Sequence, residues 1–209
     1  FVGQATDKES LAGLCNGADL LFSSLGISRQ RDGLSFEDVD HLANRNLLES
    51  AREAGLRKMV YVSLFDPEPI SHLEIVRAHE KTVSAIAESG LDYTIVRPSG
   101  FFSDMEVLLD MAKFGRVVLV GDGHNRFNPI HGADLAMVCA DAFKSTQLEI
   151  AAGGPEVLSQ REAAAIAFEV VGKKPRFLSI PIWLARGLGR IVGLLSKQFG
   201  DLVDFIATA

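Results

Sequence analysis

Three apolar segments of strand length, each followed by a helical segment, constrain this chain most. They are residues 18–25 (ADLLFSSL), 58–64 (KMVYVSL) and 93–96 (YTIV). None of the three alternates polar with apolar residues, which is typical of strands that are covered on both faces of a sheet. Strands that alternate with helices at this rhythm predict crossover connections. The sequence therefore predicts an α/β fold built on a parallel sheet.

Helical patterns separate these strands and continue after them. Helices are expected at about residues 7–14, 36–54, 73–88, 103–114, 134–143, 159–171 and 182–199. The clearest start signal is the pair Ser159 and Glu162, which are spaced as a capping box. After Pro98 the rhythm changes, and only short strands are expected, at residues 117–120, 149–152, 156–158 and 177–180.

Composition excludes several classes of protein. The chain has 209 residues, of which 47% are hydrophobic and 23% are charged, as expected for a globular domain with a sizeable core. A net charge of -6 argues against nucleic acid or an anionic membrane as the main partner. Cys15 and Cys139 fit no zinc spacing, so two reduced thiols and a cytoplasmic location are expected. No charge-free stretch of membrane length is present.

Four segments resemble the atypical short-chain dehydrogenase/reductases of the NmrA-like and isoflavone-reductase-like kind. They are ATDKESLAGLCNGADLLFSSLG, LANRNLLESAREAGLRKMVYVS, HEKTVSAIAESGLDYTIVRPSGFF and GDGHNRFNPIHGADLAMVCADAF, which together cover residues 4–143. The resemblance implies a Rossmann-type, doubly wound parallel sheet that binds NADP or NAD. Residues 1–145 would form the cofactor-binding domain, and residues 146–209 a small C-terminal substrate or lid region.

The front of the sequence departs from this family. The family opens with a strand and a GxxGxxG turn that holds the pyrophosphate, and the sequence has no such glycine pattern. Phe1-Val2 reads as the end of a strand, so we expect the first two strands of the fold to precede Phe1 in the intact protein. The residue that selects NAD or NADP follows the second of those strands, and the choice stays open.

The resemblance also implies which residues hold the cofactor. The predicted binding residues are Ser24, Leu25, Gly26, Ser63, Lys81, Pro98, Ser99, Gly100 and Phe101. The segment at Gly26 would pass over the adenosine side, where a glycine allows close backbone approach. The loop that starts at Pro98 would cover the nicotinamide, with Phe101 or Phe102 excluding water. At least one of these two phenylalanines is expected to be plain core.

Two of these residues are also candidates for catalysis. Lys81 resembles the lysine that hydrogen-bonds the nicotinamide ribose, since its ammonium offers several donors to hydroxyls. The alternative is a solvated lysine on a helix face. Ser63 resembles the serine that orients a substrate carbonyl or the catalytic tyrosine, and the alternative is a strand-end hydroxyl that bonds to backbone.

The usual proton donor of the family is missing. Its tyrosine would stand four residues before the lysine, where this sequence has Arg77. An arginine stays charged and cannot exchange a proton at neutral pH. Tyr61 and Tyr93 lie inside strands and are poor substitutes. His72 and His79 are candidate donors, although surface histidines are the more ordinary interpretation of both.

Two functions follow from these residues. The first is an NAD(P)H-dependent reductase of a small organic substrate, and the second is a non-catalytic NAD(P)-sensing regulator or assembly factor of the NmrA-like type. An epimerase is disfavoured because it needs the same tyrosine. The expected partners are a small-molecule substrate or a nucleotide cofactor, with a homodimer left open. No metal is expected, because Asn125, Asn128, His131 and Asp134 fit no zinc motif, and Asp134 is expected to cap a helix.

Overall fold

The computed structural model of the protein describes residues 1–27, 33–185 and 187. The chain forms two compact units. The first unit contains Phe1–Arg97 and Ala136–Ala151, and the second contains Pro98–Leu135 and Ala152–Ala209. The predicted assignment of cofactor and substrate roles to residues 1–145 and 146–209 stays a prediction.

Strands and α-helices alternate along the chain. In order they are β1 (Leu20–Ser23), α1 (Asn44–Glu53), β2 (Lys58–Val62), α2 (Glu74–Ala87), β3 (Asp92–Pro98), α3 (Glu106–Lys113), β4 (Val117–Val120), β5 (Arg126–Phe127), α4 (Gly132–Ala142), β6 (Glu149–Ala152), β7 (Leu158–Ser159), α5 (Gln160–Val170) and β8 (Phe177–Ile180). Shorter helical segments are the 3-10 turns Glu9–Leu11, Glu68–Ile70 and Phe102–Met105, and the π-helical segment Glu37–Ala43 that leads into α1.

The sheet of the first unit has the strand order β1-β2-β3-β6. The β1–β2 and β2–β3 pairs are parallel, with Leu20 opposite Lys58 and Lys58 opposite Asp92. This confirms the predicted α/β fold of the Rossmann type. Because the three strands are parallel, their carboxyl ends lie at one edge of the sheet, which is where open α/β sheets bind ligands.

The core of the first unit lies between this sheet and its helices. One cluster of fully buried side chains comprises Leu48, Met59, Tyr61, Ile86 and Ile95. Strand β2 is buried along most of its length, as expected for a central strand. Its buried Lys58 donates from Nζ to the carbonyl oxygens of Ala142, at 2.8 Å, and of Ser145, at 2.5 Å. These carbonyls belong to the end of α4 and the residues after it, where a cation is favourable.

The described residues of the second unit form two small sheets. Strands β4 and β8 pair in parallel, and β5 and β7 pair antiparallel. Its core lies between α3, β4 and α5 and comprises Ala112, Val117, Leu119, Ala164, Ala167 and Phe168. The capping box predicted for α5 is present, since the Ser159 side chain accepts from the Glu162 amide while the Glu162 carboxylate accepts from the Ser159 amide.

The structure corrects several predicted elements. The first helix is only the 3-10 turn Glu9–Leu11, and the segment 103–114 starts with a 3-10 turn before α3. The helix expected from residue 36 is π-helical until Ala43. Most of the helix predicted at residues 182–199 lies outside the described residues. None of the helices in the described part of the chain is long and apolar enough to cross a membrane.

We predict that Ser159→Ala lowers the free energy of unfolding by about 1 kcal/mol, because α5 loses its N-cap acceptor. Urea denaturation followed by circular dichroism measures the change. Ser84→Ala is the matched control: its hydroxyl is exposed and donates to the Glu80 carbonyl one turn earlier. That variant should stay within about 0.5 kcal/mol of the wild type. Equal losses in both variants would contradict a specific role for the cap.

Candidate functional site

The residues that follow β1 form a turn at the carboxyl edge of the first unit's sheet. Ser24 and Gly26 are exposed, and Leu25 is half-buried. The Leu25 amide donates to Ser23 Oγ at 3.3 Å, and Asn44 Nδ2 donates to the Leu25 carbonyl at 2.9 Å. Ser23 Oγ in turn donates to Asn44 Oδ1 at 2.6 Å. The turn is therefore held in place at Leu25 by strand β1 and by the first residue of α1.

Gly26 has no room for a side chain. A Cβ atom on it would lie 2.8 Å from Asp40 Oδ1, which is closer than real Cβ atoms approach a carboxylate oxygen. The next amide, that of Ile27, lies 3.4 Å from both carboxylate oxygens of Asp40. From the sequence, Gly26 is expected to allow the backbone to approach a cofactor closely. In the structure, the close contact of Gly26 is with Asp40, inside the protein.

Asp40 begins a chain of three buried polar side chains, which we call the Asp40 chain. Asp40 is fully buried, and its Oδ1 lies 3.0 Å from Nε2 of His79. His79 Nδ1 lies 2.7 Å from the hydroxyl of Tyr61. Burial raises the pKa of Tyr61 well above its ordinary value, so the hydroxyl keeps its proton. This hydroxyl can donate to Nδ1, and the tautomer that accepts such a bond carries its ring proton on Nε2, facing Asp40.

The two candidate histidines have different environments. His72 is exposed, as expected, whereas the prediction of a surface histidine is wrong for His79, which is buried. Sequence reasoning missed Asp40 and Asn44 altogether. A signal for them existed, because both lie at helical spacing from Phe36 on the face expected to be buried. A polar residue on such a face must find partners inside the protein.

A second cluster surrounds the buried Arg97 at the end of β3, and we call it the Arg97 cluster. Its Nη1 donates to the Leu64 carbonyl at 2.9 Å, to Glu80 Oε1 at 2.7 Å and to Ser63 Oγ at 3.4 Å. Its Nε donates to Glu149 Oε2 at 2.9 Å. Ser63 is only 2% exposed. The hydroxyl predicted to orient a substrate thus has Arg97 as a neighbour inside the protein.

Lys81 lies on the exposed side of α2. Its side chain is 53% exposed, and Nζ lies 2.8 Å from Oε1 of Glu37. Exposed ion pairs of this kind contribute only about 0.2–1 kcal/mol, so Glu37 is a replaceable partner. Arg77, one turn earlier, donates to the His72 carbonyl at 2.7 Å and supplies no proton.

The predicted 98–101 loop lies in the second unit and bonds to a segment before α4. Ser99 Oγ donates to the Asn128 carbonyl at 2.7 Å, and the Ile130 amide donates to the Gly100 carbonyl at 3.0 Å. Gly100 has a φ of +136°, a backbone conformation that other residues rarely adopt. Pro98 is buried. The loop is therefore an ordered part of its unit.

Two further expectations about this region are wrong. Neither phenylalanine is core, since Phe101 is half-buried and Phe102 is 43% exposed. Helix α4 begins at Gly132, so Asp134 lies within its first turn, and the Ala133 amide bonds to Nδ1 of His131 instead. Within the described ranges, no group of three or more acidic, histidine or cysteine side chains could hold a metal ion.

The sequence of this chain matches a known family. A family model described as NAD(P)H-binding matches residues 1–146. The chain therefore belongs to the NAD(P)H-binding family, whose cofactor is NADP or NAD. The match covers all of the first unit's strands β1 to β3 and the helices between them.

Two relatives with curated functions match along most of this chain. One is subunit 9 of the NADH dehydrogenase [ubiquinone] 1 alpha subcomplex from Arabidopsis thaliana mitochondria, 23% identical over 87% of this chain and 48% of its own length. The other is a chloroplast divinyl chlorophyllide a 8-vinyl-reductase from the same plant, 29% identical over 95% of this chain and 51% of its own length. This chain spans about half the length of these relatives.

Solved structures share the fold. An NADPH-dependent quinone oxidoreductase from Escherichia coli, solved with NADPH, aligns with a TM-score of 0.77 over 99% of this chain and 71% of its own chain, at 21% identity. At that identity the likeness shows the fold alone.

We predict that Arg97→Met lowers the free energy of unfolding by about 2 kcal/mol, because it leaves two glutamates facing each other without their cation. The loss is smaller than for a fully buried pair, since the Glu149 side chain is 54% exposed. Chemical denaturation measures it. The control is Lys113→Met, whose partner Asp110 is exposed. It should change stability by about 0.5 kcal/mol or less. An Arg97→Met variant as stable as the control would contradict the importance of the Arg97 cluster.

Proposed function

We propose that the complete protein is an NAD(P)H-dependent reductase of a small organic substrate, of the NmrA-like kind. The observation that carries this proposal is the family match over residues 1–146, together with the parallel sheet whose carboxyl edge lies inside that range. The vinyl reductase among the relatives supports reduction as the type of reaction.

The proposed cofactor residues remain the nine predicted from the sequence. Ser24 and Gly26 are exposed at the strand edge and suit the adenosine side, where hydroxyl and backbone groups can bond to a ribose. Lys81 suits the nicotinamide ribose, with the sugar hydroxyls replacing the Glu37 carboxylate as its partners. Loop 98–101 is proposed to contact the nicotinamide. Ser63 is proposed to act through Arg97, since its hydroxyl is buried.

The proton of such a reduction needs a source other than a tyrosine on α2. NAD(P)H supplies a hydride, and a proton must reach the neighbouring substrate atom. Arg77 stands where the tyrosine would be. Tyr61 is fully buried and its pKa is raised, so it is a poor acid for a substrate. We therefore propose that solvent water supplies the proton.

The alternative is a non-catalytic NAD(P)-binding regulator or assembly factor. The substitution of Arg77 for the expected acid favours it, because a sensor of the cofactor needs binding without proton transfer. The relative that is named as a subunit of an NADH dehydrogenase [ubiquinone] subcomplex is compatible with this alternative.

One experiment separates the two. The complete protein is titrated with NADPH and NADH by fluorescence and then assayed against a panel of carbonyl and enoyl compounds. Binding followed by oxidation of the cofactor with one substrate class supports the reductase. Binding without turnover on the whole panel favours the regulator. Failure to bind either cofactor overturns both functions.

We predict that Lys81→Ala weakens the affinity for NADPH about fivefold to tenfold, as expected when one or two hydrogen bonds to the ribose are lost. Isothermal titration calorimetry measures the affinity. Glu37→Gln is the matched control, since it removes the competing carboxylate and keeps Lys81. The control should bind NADPH at least as tightly as the wild type. Unchanged affinity in Lys81→Ala would remove this lysine from the proposed site.

We also propose a cytoplasmic location, because both cysteines are free and buried. The two curated relatives are named as mitochondrial and chloroplastic proteins, so imaging of the tagged complete protein is the appropriate measurement. Light scattering of the purified protein distinguishes a monomer from a homodimer.

A further inference from the structure

The Asp40 chain is buried and has no part in the proposed contacts with substrate, yet it ends against the turn formed by residues 25–27. Asp40 is 0% exposed, as is Tyr61, and His79 between them is 7% exposed. A buried carboxylate is costly unless hydrogen bonds compensate its charge. The donors recorded for Asp40 are His79 Nε2, at 3.0 Å, and the Ile27 amide, at 3.4 Å. One donor lies in the interior and the other lies in the turn.

The turn and Asp40 constrain each other sterically as well. Gly26 approaches Asp40 Oδ1 so closely that a Cβ would meet it at 2.8 Å, and His79 Cε1 would lie 3.7 Å from the same Cβ. The Gly26 backbone therefore lies close to the carboxylate on the side of the turn. A shift away from the turn is opposed by His79, which Tyr61 holds at its other ring nitrogen.

The backbone of Asp40 is equally well fixed. Asp40 lies in the π-helical segment Glu37–Ala43, whose backbone hydrogen bonds join residues five apart instead of four. The Asp40 carbonyl accepts from Asn44 Nδ2 at 3.0 Å and from Thr82 Oγ1 at 2.8 Å. Asn44 also binds the Leu25 carbonyl of the turn. Hydrogen bonds thus connect the π-helical segment to the turn in two places. The Asn44 side chain binds the carbonyls of both Asp40 and Leu25, and the Asp40 carboxylate accepts from the Ile27 amide.

We propose that Asp40 is a positioning residue, which sets the conformation of the 25–27 turn for the adenosine half of the cofactor, and that His79 and Tyr61 hold Asp40 in place. This inference rests on the proposed function, since it assigns the turn to the cofactor. Asp40 itself is too buried to touch a ligand, so its effect on binding passes through the Ile27 amide and the Gly26 backbone.

The test uses the complete protein and two probes, NADPH and ADP-ribose. ADP-ribose has the adenosine, the diphosphate and the second ribose of the cofactor but no nicotinamide. Asp40→Asn keeps the volume and removes the charge, so we expect both affinities to fall about tenfold, the usual scale for a lost charged hydrogen bond. The Ile27 amide, followed by hydrogen exchange, should exchange about tenfold faster.

Two substitutions of His79 test the inner part of the chain. In His79→Gln, the amide N–H can replace Nε2–H as the donor to Asp40, and both affinities should stay within about threefold of the wild type. In His79→Leu the donor from the interior is lost, and the loss should match that of Asp40→Asn. Asp38→Asn is the matched control: this carboxylate lies on the same π-helical segment but accepts from Ser35, at 2.8 Å from its amide and 2.6 Å from its hydroxyl.

Each outcome decides the inference. Loss of both affinities in Asp40→Asn and His79→Leu, with recovery in His79→Gln and no change in Asp38→Asn, supports it. A lower melting temperature with unchanged affinities and unchanged Ile27 exchange overturns it, because Asp40 would then serve stability alone. If the wild type binds neither probe, the proposed function fails. In that case Ile27 exchange in Asp40→Asn decides whether Asp40 sets the turn: faster exchange supports that role and unchanged exchange overturns it.

Discussion

The carboxyl edge of the first unit depends most on the hydrogen bonds and ion pairs that the Arg97 guanidinium makes. Arginine offers five N–H donors in one plane, and here they bond to groups from three parts of the chain: the segment just after β2, helix α2 and strand β6. Taking a cation out of water is costly, so the two glutamates are needed as much as the arginine. With this residue in place, the ends of β2 and β3 keep a defined position at the edge proposed for the cofactor.

Much of the fold could be predicted from the sequence because local patterns determined it. A continuous apolar run predicts strands such as β2, and the capping-box pair Ser159 and Glu162 predicts the start of α5. The π-helical segment could not be predicted in this way, since Phe36, Val39 and Ala43 fit an ordinary helical period equally well. Its Asp40 carbonyl accepts hydrogen bonds from the side chains of Asn44, four residues later, and of Thr82 on α2. A partner as distant in sequence as Thr82 leaves no local pattern.

In the candidate site, too, local sequence patterns predict some features, while others depend on partners that are distant in sequence. The sequence identified the turn at Gly26 and the loop at Gly100, because glycine and proline mark places where the backbone needs special freedom. It misjudged His79, since a single histidine on a helix is ordinarily solvated, and its burial depends on a carboxylate about 40 residues earlier in the chain. The environments of Lys81 and Ser63 were likewise beyond sequence reasoning. The partner of Lys81 is the exposed Glu37, which a ligand can replace, whereas the partner of Ser63 is the buried Arg97.

The first unit is discontinuous, and this has a consequence for how the chain is synthesised and folds. Strand β6 and the end of α4 belong to it, yet they follow the second unit's residues 98–135 in the chain. The hydrogen bond from the Ile95 amide to the Leu148 carbonyl closes a loop of roughly 50 residues. Until Glu149 leaves the ribosome, Arg97 lacks one of its carboxylate partners and one edge of β3 stays unpaired. Lys58 likewise lacks its carbonyl partners until Ala142 and Ser145 have emerged, a few residues earlier. A nascent chain that stops before this point therefore exposes an aggregation-prone strand, and the return of the chain to the first unit is the step that removes that hazard.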